Sequence, residues 1–288
     1  MNWELTFIKA LQAVASPFLD LFFRAVGELG GDIFWLMAIF ALFSLGRKKQ
    51  ALSLSALLLT SFYTSYALKY VVGRPRPPLE LQRLGPRTDP SMPSTHATEA
   101  ASNLGYVARE SRRRWAYLAC SVLAGLAGLS RVYFGLHWPT DVLAGFGLGL
   151  LVLASYIGLI EEAAKGLLKG LEGHRAARAL LALLTVLVGL LAMFLTPSYW
   201  GRPSAYIGGL ISGVFLGALL PDQAKPRNPR DLGNLLRTVF SCLIGLLGLA
   251  FSYVFLAGLL QFAGSALAGL WASWAGPKVL WAGKRSRA

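Results

Sequence analysis

Charged residues are scarce in this sequence, and cysteines and histidines are scarcer still. Only 15% of the 288 residues are charged, whereas 55% are hydrophobic, and soluble domains carry about a quarter charged residues. The mean hydropathy is +0.53, and apolar runs approaching ~20 residues recur along the chain, which is typical of helices that cross a bilayer. This composition excludes an ordinary soluble domain and predicts an all-α, polytopic transmembrane helical bundle.

The chain also lacks the residues of a disulfide framework. Its two cysteines, Cys120 and Cys242, fall within predicted spans and form no Cys-x-x-Cys metal motif. The N-terminal segment MNWELTFIKALQAVASPFLD has no basic start followed by an uninterrupted apolar core, so it does not resemble a cleavable signal peptide.

The apolar segments predict about nine spans. They lie near residues 31–46, 51–69, 96–109, 115–132, 139–160, 177–195, 204–220, 235–257 and 264–282. Residues 3–27 predict either an amphipathic helix on the membrane surface or a further span. We divide the chain into an N-terminal helix (1–30), a core bundle that carries the chemistry (31–160) and additional helices (161–288). For the last segment we expect helices that support the bundle, a homodimer interface or a groove for a lipid tail.

Acidic residues are half as frequent as basic ones, 14 against 28, and the formal net charge is +14. Basic clusters such as Arg47–Lys49 and Arg112–Arg114 follow alternate spans, so the positive-inside rule makes that side cytoplasmic. The excess charge therefore predicts membrane orientation and no nucleic-acid partner. We expect an integral protein of an inner or plasma membrane.

Three segments on the opposite, periplasmic or exterior, face carry the chemistry. They are KYVVGRPRP (Lys69 to Pro77), MPSTHA (Met92 to Ala97) and SRVYFGLHWPTD (Ser130 to Asp141). Lys69, Arg76 and Arg131 have no obvious acidic partner in sequence, and guanidinium groups match phosphate oxygens, which predicts an anionic guest. For Arg74, Arg83 and Arg87 we expect side chains that reach lipid headgroups.

Two of the three histidines lie in these segments. His137 and Asp141 are four residues apart at a helix start, so the carboxylate can fix the tautomer that leaves Nε2 free as a nucleophile. Pro139 and Asp141 would also suit a simple helix start. His96 is positioned to protonate a leaving alkoxide. His174 lies in a basic connection, and we expect its side chain to be solvated.

Ser94 and Thr95 lie directly before the predicted span 96–109. Amides at a helix N-terminus bind anions, and Ser94 or Thr95 can also cap the helix. Both roles are compatible.

In order and spacing these segments resemble the three signature motifs of the type 2 phosphatidic acid phosphatase superfamily: Lys, six residues, Arg-Pro; Pro-Ser-Gly/Thr-His; and Ser-Arg, five residues, His, three residues, Asp. The resemblance covers roughly residues 30–160. It implies His137 as nucleophile, Asp141 as its orienting group and His96 as acid. It also implies phosphate binding by Lys69, Arg76, Ser94, Thr95 and Arg131, with no metal or other cofactor. Thr95 stands where many members have glycine, and threonine would be strained there if φ were positive.

The resemblance implies an integral membrane phosphatase that hydrolyses a lipid phosphate or pyrophosphate through a phosphohistidine. Phosphatidate, phosphatidylglycerophosphate, polyprenyl pyrophosphate and sphingoid-base phosphates all remain open as substrates. The MPSTHA form and the span count resemble the sphingosine-1-phosphate phosphatase and glucose-6-phosphatase branch, but architecture does not transfer substrate. A lipid phosphotransferase with the same intermediate and a non-enzymatic lipid translocator are the alternatives.

Overall fold

The computed structural model of the protein describes residues 2–170, 174–195, 204–220, 228 and 230–281. Throughout these residues the regular structure is helical, without a β-strand. The α-helices are α1 (Asn2–Ala13), α2 (Pro17–Gly27), α3 (Asp32–Ser44), α4 (Lys48–Val72), α5 (Thr95–Ser111), α6 (Arg114–Tyr133), α7 (Pro139–Ser155), α8 (Glu161–Gly170), α9 (Arg175–Leu195), α10 (Ser204–Leu219), α11 (Leu232–Phe255), α12 (Gly258–Leu270) and α13 (Gly276–Trp281). Short π-helical turns follow α7 and α12, at Tyr156–Ile160 and Trp271–Ala275.

The all-helical class is confirmed, and each predicted apolar segment overlaps at least one helix. Four described helices are long and apolar enough to cross a membrane, or five if the bent pair Trp3–Ala13 and Pro17–Gly30 counts as one span. The four are Lys48–Val72, Arg114–Tyr133, Pro139–Ala163 and Leu232–Phe255. The predicted count of about nine spans is not reached by these criteria. Several basic residues of the predicted cytoplasmic clusters, among them Lys225, Arg227, Lys284, Arg285 and Arg287, lie outside the described residues, as does Arg202.

The chain divides into two compact units, with boundaries inside α3, α4 and α8. Unit 1 is Met1–Trp35 with Leu54–Ala163, and unit 2 is Leu36–Ser53 with Ala164–Ala288. All three motif segments belong to unit 1.

Helix α5 is the core helix of unit 1 although its sequence, THATEAASNLGYVARES, is not strongly apolar. Its small residues permit close packing: a Cβ on Gly145 or Gly149 of α7 would collide with the α5 backbone at Ser94 or Thr98. On another side Ser61 of α4 exchanges a 2.8 Å hydrogen bond with Ser102. The polar side chains of Thr98, Glu99, Ser102 and Asn103 are therefore buried among helices.

The N-terminal segment is a helix pair, α1 and the α2 segment, with a bend of 119° between them. Ser16 caps α2 by accepting from the Leu19 amide at 3.3 Å, and Pro17 occupies its first turn. Phe23 of α2 packs on Tyr133 at the end of α6, with ring centroids 4.5 Å apart. This arrangement places α1 and α2 against the end of unit 1 that carries the motif residues.

Unit 2 is packed through small residues. Gly189 of α9 meets Gly208 of α10 so closely that a Cβ on either would overlap the backbone of the other. Ser252 of α11 and Ser265 of α12 are 2.9 Å apart through their hydroxyl groups. This is the close approach expected between helices in a membrane protein.

Candidate active site

Lys69 lies in the last turn of α4 and is almost completely buried, with 1% of its surface exposed. Its Nζ donates to the carbonyl oxygens of Pro90 and Ser91, at 3.1 and 2.9 Å. These contacts join the first motif to the segment that leads into the second. They hold the buried amino group of Lys69 in place through backbone oxygens.

The second motif forms the N-terminus of α5. Ser94 is the N-cap, and its Oγ accepts from the Ala97 amide at 3.5 Å. The Ser94 amide donates to the backbone oxygen of Asp141 at 2.9 Å, which ties the second motif to the third. Thr95 is the first helical residue and accepts a 3.2 Å hydrogen bond from Ser65. It is absent from the positive-φ residues of the described chain, so the strain considered for threonine does not arise.

The third motif begins with a tight turn at the end of α6. Gly135 has φ of +66°, and the Leu136 amide donates to the Arg131 oxygen at 2.9 Å while the Gly135 amide donates to the Val132 oxygen at 2.9 Å. This pair of bonds is the Schellman motif. The His137 amide also donates to the Arg131 oxygen at 3.3 Å. The turn therefore folds His137 back towards Arg131.

His137 and Asp141 face each other as their spacing predicts. His137 Nδ1 is 3.5 Å from Asp141 Oδ2, and the two residues are 5% and 0% exposed. Asp141 Oδ2 also accepts the Trp138 amide at 2.8 Å, as a carboxylate at the third helical position does in a capping box. Asp141 thus starts the helix and faces the imidazole at once.

Arg76 contacts the other ring nitrogen. Its Nη1 is 3.2 Å from His137 Nε2 and donates to the Leu136 oxygen at 2.6 Å. Its Nη2 donates to Asp89 Oδ2 at 2.8 Å. The expectation that no acid neutralises these cations was therefore wrong for Arg76, because the loop between α4 and α5 supplies Asp89.

Arg131 is 7% exposed, and its Nε donates to Ser130 Oγ at 3.0 Å. Gly27 at the end of α2 lies against its guanidinium group, where a Cβ would overlap Arg131. Gly30 lies in the same way against the backbone of His96, the partly buried second residue of α5. The N-terminal segment thus packs against two of the predicted site residues, Arg131 and His96.

The expectation that Arg74 reaches lipid headgroups was wrong. Its Nη1 donates to Asp141 Oδ1 at 2.7 Å and its Nη2 to Glu4 Oε2 at 2.6 Å. Glu4, in α1, is 3% exposed. The sequence did not predict the roles of Glu4 and Arg74. The only signal for Glu4 was an acidic residue in the first turn of an N-terminal helix, and nothing in the sequence connects it with a motif 70 residues away.

Arg83 also has a carboxylate partner and is not simply solvated. It pairs with Asp20 of α2 at 2.8 Å, and its guanidinium carbon lies 5.2 Å from the centroid of the Tyr133 ring. Tyr133 in turn donates to Asp20 at 2.6 Å. Arg87 is exposed, as expected for a residue that contacts solvent or headgroups.

Burial and the surrounding charges disfavour the protonated form of His137. Burial, together with the nearby charges of Lys69, Arg76 and Arg131, lowers the pKa of His137 well below its usual value. A neutral imidazole whose Nδ1 faces a carboxylate can present a lone pair at Nε2.

Unit 1 thus brings all the predicted site residues to one end of its helices. His137, Asp141, Lys69, Arg76 and Arg131 are joined by the contacts above, and Arg131, His137 and Lys69 lie close enough to His96 to act on it electrostatically. Ser94 and Thr95 form the helix start beside them. Among the described residues no group of three His, Cys, Asp or Glu side chains has the arrangement of a metal site.

Comparisons with known proteins agree with this assembly. The model of the PAP2 superfamily matches residues 50–165. Phosphatidylglycerophosphatase B of Bacillus subtilis (strain 168) is 29% identical over 167 residues, which cover 54% of this chain and 81% of that protein. Undecaprenyl-diphosphatase of Sulfolobus acidocaldarius is 32% identical over 133 residues, which cover 43% of this chain and 62% of that protein.

A solved structure has a similar fold. It is the crystal structure of the first transmembrane PAP2 type phosphatidylglycerolphosphate phosphatase from Bacillus subtilis, with a TM-score of 0.50 and 28% identity. The match covers 56% of this chain and 86% of that one. The segment that resembles the PAP2 superfamily, residues 50–165, holds all three motif segments.

Proposed function

We propose that this membrane protein hydrolyses a lipid phosphate or pyrophosphate through a phosphohistidine formed on His137. The match of residues 50–165 to the PAP2 superfamily and the relatives that are named phosphatases support a phosphoric monoester hydrolase. The observation that carries the mechanism is the buried His137–Asp141 pair, with Arg76 on the opposite ring nitrogen. This is the arrangement of a nucleophile with its orienting group.

The first step transfers the phosphoryl group to the enzyme. The lone pair of His137 Nε2 forms the N–P bond as the P–O bond to the lipid breaks, and the leaving oxygen takes a proton from His96. Lys69, Arg76 and Arg131 balance the negative charge on the phosphoryl oxygens, where phosphoryl transfer gains most from electrostatic stabilisation. A bound phosphate dianion also compensates these cations and so lets His96 carry the proton that it donates.

The second step restores the enzyme. His96, now neutral, accepts a proton from water as the water oxygen attacks phosphorus and the N–P bond breaks. Inorganic phosphate leaves, and both histidines return to their starting protonation states. Because Arg76 is already within 3.2 Å of His137 Nε2, the phosphoryl oxygens would take over the donors that now point at the ring nitrogen and at Leu136.

The substrates that fit are phosphatidate, phosphatidylglycerophosphate, polyprenyl pyrophosphate and sphingoid-base phosphates. All share a phosphate at the end of an apolar tail. The names of the relatives support the phosphatidylglycerophosphate and polyprenyl pyrophosphate classes.

We also propose that the site faces the periplasm or exterior of an inner or plasma membrane, with about nine spans. The positive-inside distribution of the basic clusters supports this orientation. A homodimer formed through residues 161–288 remains a prediction. Accessibility of single cysteines introduced into the connections to a membrane-impermeant maleimide tests the topology. Labelling of the α4–α5 connection only from the cytoplasmic side would overturn it.

Phosphate release from a panel of these lipids in detergent, without added metal, tests the activity. We expect saturable release from one lipid class, and none by His137→Ala. His174→Ala, which changes an exposed histidine outside the cluster, should retain the wild-type rate. Full turnover by folded His137→Ala would overturn the mechanism, and transfer of the label to a second lipid would identify a phosphotransferase instead. Lipid movement that is indifferent to both histidines and Asp141 would identify a translocator.

A further inference from the structure

Glu4 connects the N-terminal helix to the candidate active site through two of its oxygens. Oε1 accepts from the hydroxyl group of Thr140 at 2.7 Å and from the Thr140 amide at 3.2 Å. Oε2 accepts from Arg74 Nη2 at 2.6 Å. Glu4 lies outside the segment 50–165 that the family model matches, so its contacts are a feature of this chain beyond that segment.

Arg74 connects Glu4 to Asp141. Besides its 2.7 Å contact with Asp141 Oδ1, its Nη1 donates to Thr140 Oγ1 at 2.5 Å. The guanidinium carbon lies 5.5 Å from the centroid of the Trp138 ring, and Trp138 Nε1 donates to the Pro75 oxygen at 2.9 Å. Arg74 on Oδ1 and the Trp138 amide on Oδ2 thus hold both oxygens of the Asp141 carboxylate beside His137.

The charges give Glu4 a second effect. Without Glu4, the positive charge of Arg74 would offset the negative charge of Asp141. A pair with no net charge stabilises less well the positive imidazole that phosphoryl transfer creates at His137. Glu4 shares the charge of Arg74, so the three groups Glu4, Arg74 and Asp141 together carry one net negative charge. That charge lies against the nitrogen of His137 that faces away from the substrate.

We propose that Glu4 is a positioning residue for catalysis, which acts through Arg74 and Thr140 to hold Asp141 against His137 and to preserve its negative charge. This inference rests on the proposed role of His137 as the nucleophile. It makes α1 part of the catalytic machinery and not only a helix that covers the site.

A role in packing alone would give different results. Gln12 fixes the same helix at its other end, where its Nε2 donates to the oxygens of Leu81 and Tyr133 at 2.8 and 2.9 Å. It contacts none of Glu4, Arg74 and Asp141 in these bonds. Gln12→Ala is therefore the matched control, because it loosens α1 without changing the charge near His137.

The experiment compares Glu4→Gln, Glu4→Asp, Gln12→Ala and His137→Ala in the full chain, on the best lipid of the panel. We expect Glu4→Gln to lower kcat by about tenfold or more with a KM within about twofold of wild type, because the carboxylate acts on the reacting histidine and not on the lipid. The acid limb of kcat against pH should move to lower pH, since the imidazolium of His137 loses a stabilising charge.

All variants are measured on one substrate, so titration of the lipid phosphate affects each pH profile equally and does not contribute to the differences between them. The charged and titratable groups that face His137 from the surrounding elements are unchanged by both α1 substitutions: Lys69, Arg76, Arg131, His96 and Asp141. Glu4→Asp should restore the position of the acid limb, because it restores the charge. Gln12→Ala should leave that position at the wild-type value, whatever it does to the melting temperature.

The outcomes separate the inference from the proposed function. If His137→Ala turns over lipid, the mechanism falls and the inference with it. If His137→Ala is inactive while Glu4→Gln matches wild type in kcat and pH profile, the inference alone is wrong. If Glu4→Gln and Gln12→Ala lose activity equally with unshifted profiles, Glu4 only packs α1, which also overturns the inference.

Discussion

Gly27 offers a sharp test of how the N-terminal segment shapes the phosphate site. It is the last residue of α2, with φ of −60° and ψ of −31°, so alanine fits the backbone without strain. A Cβ there would overlap Arg131 Nη2 and lie 2.9 Å from Ser130 Oγ. Gly27→Ala should therefore displace the buried guanidinium group while α2 itself is unaffected or slightly stabilised.

The size of the effect follows from what Arg131 is proposed to do. A hydrogen bond to a charged group is worth about 1.5–3 kcal/mol, and about 1.4 kcal/mol corresponds to a factor of ten in rate. Displacement of one guanidinium contact with phosphate should lower kcat/KM by about 10- to 100-fold. The assay is phosphate release on the best lipid, with the melting temperature measured in parallel.

Gly147→Ala is the matched control, because the same methyl group in α7 would meet nothing within 4 Å. It should retain wild-type turnover. In a chain that already carries Arg131→Ala, the Gly27→Ala change should have no further effect, since contacting residues are not additive. Wild-type kcat/KM for Gly27→Ala, or an equal loss with and without Arg131, would show that Gly27 does not act through Arg131.

Three further predictions concern pH, the turn after α6 and metal. The pKa of His137 is lowered in the folded state by burial and by the cations around it, so folding stability should fall as pH drops below about 6.5, where the unfolded histidine takes up a proton. Melting temperatures from pH 7 to 5 should therefore decrease more for wild type than for His137→Gln, and an equal decrease would contradict the assignment. Gly135→Ala should destabilise the protein by more than about 1 kcal/mol, because φ is +66° and a Cβ would overlap the Leu81 oxygen; a thermal scan that matches wild type would argue against the turn. Added EDTA should leave phosphate release unchanged, since side-chain cations balance the phosphate charge, and loss of activity restored by a divalent ion would contradict this.

Much of the site was predictable because its residues belong to short segments with fixed spacing. His137 and Asp141 lie one helical turn apart, so their approach follows from helix geometry alone. The helix start at Ser94 and Thr95, which places His96 in the first turn, follows from capping preferences. Proline in the α4–α5 connection likewise predicted a break between helices, and only the short turn Leu79–Leu81 is regular there.

What the sequence could not predict depends on pairing between distant segments. Glu4 and Thr140 are 136 residues apart, and no periodicity connects an N-terminal helix with the start of α7. Asp89 was missed as the partner of Arg76 because it lies in an irregular connection, whose path is set by contacts such as Lys69 with Ser91. The bend between α1 and α2 was also hidden, since an amphipathic pattern fits a straight helix as well as a bent pair.

The proposed mechanism requires a covalent bond between phosphorus and His137 Nε2. It is tested most directly by mixing the protein with a lipid phosphate that carries radioactive phosphorus, quenching in alkali within the first turnover and mapping the labelled peptide. We expect label on the peptide that contains His137, stable to alkali, released by acid and absent from His137→Ala. An active enzyme that releases phosphate in a first-turnover burst while no label remains on the His137 peptide would contradict it.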